Sequence, residues 1–100
     1  DAMPTVAGPP EYDLYGNTIR LRDGRLVNAE GALAGAHVTM LQSVRYAISE
    51  LDQTPEAALR IAITHPAQLM QMGGLAVLDG RRAEDVLLIE PDWMIARFLQ

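Results

Sequence analysis

The dipeptide Asp23-Gly24, set between Thr18-Ile19-Arg20-Leu21-Arg22 and Arg25-Leu26-Val27, constrains this chain more than any other feature. Both flanks alternate polar and apolar side chains, the period of a strand with one buried face. A two-residue turn joining such strands needs positive φ at both central positions, which Asp-Gly adopts at little cost. With Tyr12 and Leu14 alternating ahead of a break at Gly16-Asn17, the pattern predicts a small β meander over residues 11–27. The period then changes. Met40, Val44, Ala47, Ile48 and Leu51 recur at helical spacing and predict a helix over 38–51. Thr54-Pro55-Glu56 signals the start of a second helix: a hydroxyl N-cap, a proline where its missing N–H costs nothing, and an acid at the positive end of the dipole.

Proline disfavours helical backbone in the residue before it, so this second helix is expected to end near Thr64, with His65 extended before Pro66. Residues 66–72 read as another turn or two of helix, closed by Gly73-Gly74, and Asp79-Gly80 as a turn. Val86-Leu87-Leu88-Ile89 is a continuous aliphatic run of the kind buried on both faces of a sheet. A second strand-like run, Trp93 to Leu99, follows the break at Glu90-Pro91-Asp92. The proline-rich stretch 1–10 reads as a loop. Asp at position 1, where an initiator Met would stand, reads as a processed or fragmentary start.

One hundred residues hold one modest core. At 49% hydrophobic and 21% charged residues, the composition is that of a folding chain and not of a disordered one. No apolar run approaches the ~20 residues of a membrane helix, and the first fifteen residues do not read as a signal peptide, so no membrane partner is expected. Absence of cysteine excludes disulfides and thiolate metal sites and fits a cytoplasmic location. All 8 basic residues are arginine, which excludes Schiff-base lysine chemistry and a P-loop. A net charge of −5 with scattered arginines argues against a nucleic-acid partner.

Chemistry-bearing residues are few. His37 and His65 have no HxH or HExxH spacing, so both read as structural, and Ser43 and Ser49 sit within the first helix, away from any nucleophile elbow. The five methionines read as core. Two segments stand apart: Asp1-Ala-Met-Pro, an acid beside a proline-stiffened loop, and Gly31-Ala-Leu-Ala-Gly35, a glycine-flanked loop before a helix. Small residues there allow close approach, and loops entering helices carry exposed N–H groups that can bind an anion or an oxyanion.

Those two segments, together with Tyr12 to Gly16, Asp23-Gly24-Arg25-Leu26-Val27, Ala36-His37-Val38-Thr39-Met40, Pro55-Glu56-Ala57-Ala58-Leu59 and Thr64-His65-Pro66-Ala67, resemble the C-terminal portion of the N-acetylglucosamine-6-phosphate deacetylases of the amidohydrolase superfamily. The resemblance runs in order over nearly the whole chain. It implies an α/β fold: the C-terminal part of a metal-dependent (β/α)8 barrel plus strands of a small β-sandwich domain. Residues 1–53 would end the barrel (strand-8 loop, hairpin, last barrel helix). Residues 54–100 would supply a connecting helix and the C-terminal part of the sandwich. Asp1 matches the family's catalytic acid, which relays the proton of an attacking water to the departing amine. Leu33, Ala34, Gly35 and Ala36 match the segment lining the substrate pocket. The reaction implied is removal of the acetyl group from N-acetylglucosamine 6-phosphate, in amino-sugar catabolism. The cofactor implied is a divalent metal ion, zinc or iron, held by residues outside these 100, and the complete enzyme is expected to be a homodimer.

Departures from the family pattern are specific. Ala36 stands where a serine is usual, His37 is unusual at its position, and the stretch Gly74–Asp85 carries extra residues in what reads as a hairpin. Two other readings stay open: a non-catalytic module binding a sugar phosphate or a partner chain, and a related amidohydrolase acting on another N-acetyl sugar or a cyclic amide. Strands without their sheet neighbours would leave open edges, so the 100 residues alone are expected to be aggregation-prone or partly disordered.

Overall fold

The computed structural model describes residues 3–100, which form two compact units: one ending at Thr39, the other running from Met40 to Gln100. In the first unit, β1 (Glu11–Leu14), β2 (Asn17–Arg22) and β3 (Arg25–Val27) pair antiparallel in the order β1-β2-β3. The expected turn at Asp23-Gly24 is present, with φ of 51° and 76°, and sets Arg22 opposite Arg25 and Leu21 opposite Leu26. The earlier turn uses Tyr15 and Gly16, at φ 49° and 81°, so the break falls one residue before Gly16-Asn17 and Asn17 opens β2. A tyrosine in left-handed backbone carries no signal in the sequence, because only glycine, Asn and Asp enter that region readily.

The pleat sorts the side chains. Ile19 (5% exposed) and Leu26 (0%) form the core face, with Tyr12 opposite Ile19. Glu11, Asp13, Thr18, Arg20, Arg22 and Arg25 share the other face, where Arg20 Nε lies 3.0 Å from Glu11 Oε2 and Thr18 Oγ1 donates to Asp13 Oδ1. Among the described residues, the buried Tyr12 hydroxyl has no hydrogen-bond partner.

The second unit begins with α1 (Met40–Ser49), within the expected helix. Val44 is its buried residue, whereas Met40 and the following Leu51, assigned to the apolar stripe, are exposed. α2 (Pro55–Leu59) starts as expected: the Ala57 N–H donates to Thr54 Oγ1 at 3.2 Å, Pro55 opens the helix and Glu56 lies in the first turn.

The helix does not stop before Pro66. A π-helical turn, Arg60–Thr64, leads straight into α3 (His65–Leu69), and His65 is helical at φ −65°, ψ −46°, not extended. Inside an α-helix, proline lacks a donor and its ring meets the carbonyl four residues back. Here the His65 N–H bonds to the Arg60 carbonyl, five residues back, and this wider turn lets the chain pass through proline without breaking.

Gly74–Asp85 is not a hairpin. Residues 73–85 hold a 3₁₀ turn at Gly73–Ala76, a turn with Gly80 at φ 80°, and a second 3₁₀ turn at Ala83–Asp85. Arg81 ties this stretch together, donating through Nε to the Val77 carbonyl at 3.2 Å and through Nη2 to the Gly74 carbonyl. β4 (Leu87–Ile89) and β5 (Ala96–Phe98) then pair antiparallel as a two-stranded ribbon, with Leu87 opposite Phe98. β5 starts later than Trp93, which lies in the connecting turn at φ 61°. The aliphatic run is not buried on both faces: Leu87 is 54% and Leu88 40% exposed, on a ribbon of two strands with no third strand paired to it among the described residues. In fold class the chain is a small α/β structure with few strands.

Candidate functional site

The expected substrate loop is built by one side chain. Asn28 follows β3, and its Oδ1 accepts from the backbone N–H groups of Glu30 (3.0 Å) and Ala32 (2.9 Å). The Gly31 N–H donates to the Asn28 carbonyl and the Asn28 N–H to the Ala32 carbonyl, each at 3.0 Å. This tight turn, with Gly31 at φ 86°, sends the chain back along the sheet. Leu33 forms an antiparallel bridge with Val27, and the Ala34 N–H donates to the Leu26 carbonyl at 2.8 Å. Sequence reasoning missed Asn28. The signal was present, since an Asn side chain mimics a backbone turn by accepting two residues on.

Leu33, Ala34, Gly35 and Ala36 are therefore brought together on a backbone fixed to β3. Leu33 is 74% exposed, while Ala34 and Ala36 are partly covered. Gly35 is required where it stands: φ is 126°, and a Cβ would lie 2.8 Å from Met3 Cγ and 2.9 Å from Met3 Sδ. The close approach expected of small residues is realised here, by the thioether of Met3. Two residues further along each segment there is a second contact. Thr5 is 2% exposed, and its Oγ1 lies 3.0 Å from His37 Nδ1, a hydrogen bond spanning 32 positions. A tight turn behind Thr5 holds that segment, with the Val6 N–H on the Met3 carbonyl and the Gly8 N–H on the Thr5 carbonyl. A Cβ at Gly8 would meet the Pro4 carbonyl oxygen at 2.3 Å, so that turn needs glycine.

Asp1, the expected catalytic acid, lies outside the described residues. Its neighbours Met3 and Thr5 are on the Gly35–His37 segment, so the two parts of the chain singled out in the sequence meet in one place. His65 is exposed on α3, in the second unit. Each unit also carries a concavity of its own. One of about 450 Å³ is lined by Arg20, Arg22, Asn28 and Gly31 in the first unit. An apolar one of about 660 Å³ is lined by Leu59, Ile63, Leu75 and Val86 in the second. Among the described residues, no group of three or more His, Asp or Glu could hold a metal ion, and no helix is long and apolar enough to cross a membrane.

Comparison with known proteins defines first the class of fold. The chain superposes on the crystal structure of N-acetylglucosamine-6-phosphate deacetylase from Pasteurella multocida with a TM-score of 0.74, at 23% identity, covering 91% of this chain and 25% of that one. No family model matches the chain. Curated relatives sharpen the comparison. The N-acetylglucosamine-6-phosphate deacetylase of Haemophilus influenzae is 30% identical over 71 residues, 68% of this chain and 19% of its own length. A putative N-acetylgalactosamine-6-phosphate deacetylase of Escherichia coli K12 is 33% identical over 92 residues, 88% of this chain and 54% of its own length. The N-acetylgalactosamine-6-phosphate deacetylase of Escherichia coli O157:H7 is also 33% identical over 92 residues, of which it contributes 24% of its length. The resemblance read from the sequence stands: this chain is similar to a C-terminal region of the amino-sugar-phosphate deacetylases, and spans between about a fifth and a half of their length.

Proposed function

We propose that this chain is the C-terminal region of a hydrolase that removes the acetyl group from N-acetylglucosamine 6-phosphate, giving glucosamine 6-phosphate and acetate. The observation that carries this reading is the similarity to deacetylases over 68–88% of the chain. In this reading Asp1 accepts a proton from the water that attacks the acetamide carbonyl and delivers it to the nitrogen as the C–N bond breaks. Leu33, Ala34 and Ala36 line the pocket on a backbone that β3 holds in place. A methyl at Ala36 in place of the usual hydroxyl offers the substrate an apolar contact. The described side chains do not fit a metal site. A divalent ion, zinc or iron, would be held by residues outside this chain, and the chemistry assigned here runs through this chain's own groups. The (β/α)8 barrel and sandwich, a cytoplasmic location and a homodimer belong to the same reading.

A second reading is favoured by the two relatives at 33% identity, whose substrate is the galactosamine epimer. The two sugars differ at C4 alone, remote from the scissile amide, so the same residues would serve either. The test is acetate release by the protein carrying this chain, from each N-acetylhexosamine 6-phosphate in turn. Turnover of either, abolished by Asp1→Asn with substrate still bound, supports the reading. Acetate from neither sugar would overturn it in favour of a binding module.

A further inference from the structure

The Met3–Gly35 and Thr5–His37 contacts make a two-point attachment. Residues i and i+2 of the N-terminal segment seat on residues j and j+2 of the loop. A single contact would let one segment pivot on the other, whereas two contacts fix direction and register together. Asp1 is two peptide units from Met3, no more than about 7 Å of chain, and Ala36 lies between the two loop anchors. The geometry points to Thr5 and His37 as a positioning pair that sets the acid-bearing segment against the substrate loop. This inference rests on the deacetylase reading for its consequence in catalysis, but the pair itself does not.

The chemistry of the pair suits that role. A threonine hydroxyl can donate to a bare imidazole nitrogen or accept from a ring N–H, so the bond forms with either tautomer of His37. Thr5 is also buried, at 2% exposure, and so shielded from water that would compete for the bond. Neither His37 nor Thr5 is assigned to the reacting atoms. They act through Asp1 on one side and Ala36 on the other, and misplacement of a reacting group by about 1 Å can cost on the order of 100-fold in rate.

The test uses the complete protein carrying this chain. Thr5→Val removes the hydroxyl at nearly constant volume. It is expected to lower kcat 10- to 100-fold with KM changed less than about threefold. Thr5→Ser keeps the hydroxyl and is expected to restore kcat to within about threefold of the parent. His37→Ala should match Thr5→Val, the two together should cost no more than either alone, and His37→Asn, which presents an amide group near the place of Nδ1, should recover most of the loss. If Thr5→Val does not fold, the two His37 variants carry the test. Parental kcat in folded Thr5→Val or His37→Ala overturns the inference, as does an equal loss in Thr5→Ser and Thr5→Val. A readout independent of activity is the nitrogen NMR resonance of His37 Nδ1, which should move in Thr5→Val and hold in Thr5→Ser. Parent protein that releases no acetate refutes the deacetylase reading alone. An Nδ1 resonance unmoved by Thr5→Val refutes the pair.

Discussion

The meander β1-β2-β3 and the ribbon β4-β5 are built by the same antiparallel pairing, yet they treat their apolar side chains in opposite ways. In the meander, one face is covered: Leu26 is fully buried and Ile19 nearly so. In the ribbon, Leu87, Leu88 and Phe98 all remain exposed. Pairing is a local property, set by turn residues and alternation, whereas burial depends on what lies over the sheet. In the first unit the Asn28 turn folds the following chain back beside β3, and the ribbon has no equivalent among the described residues.

Substitutions can break or sharpen this contrast. Leu26→Ala should have the largest effect, a loss of about 2–5 kcal/mol in chemical denaturation, since it empties a fully enclosed site. A loss below about 1 kcal/mol would show that the meander has no real core. Next is Gly24→Val, which forces a β-branched residue to φ 76° and should cost about 1–2 kcal/mol. An unchanged midpoint would mean the turn relaxes into another type. Arg25→Glu should work in the other direction. It replaces the like-charged pair with Arg22 by an opposite-charged one and should raise stability by about 0.2–1 kcal/mol, an effect that fades in high salt. The smallest effect is expected in the ribbon, where Leu88→Thr in the 100-residue chain should change stability by less than about 0.5 kcal/mol. A cost of 2 kcal/mol or more would put Leu88 under cover and remove the contrast.

What could be read in the sequence follows the same division between local and distant causes. Asp23-Gly24 and Thr54-Pro55-Glu56 act on backbone within a few residues of themselves, and both appear in the structure as the sequence predicts. The passage through Pro66 was not legible, because a π turn is a choice of hydrogen-bond partner and leaves no mark on apolar spacing. Nor was the exposure of Leu87 and Leu88, since a continuous aliphatic run looks alike whether or not a second layer covers it. At the candidate site, the small residues of 31–36 announced a close approach, but nothing in their spacing named Met3 as what approaches. His37 read as structural from its lack of ligand partners. Its bond to Thr5, 32 residues earlier, is a tertiary fact that no local pattern encodes.

The Asn28 turn has a consequence for how such a site could diversify. The loop's course is held by the Asn28 amide and by main-chain bonds to Leu26, Asn28 and Ala32, none of which involves the side chains of Leu33, Ala34 or Ala36. Scaffold and lining are thus separable. Mutation could redraw the inner wall, residue by residue, while the peptide beneath keeps its course, so that new substrate preferences could arise there without a new fold to support them.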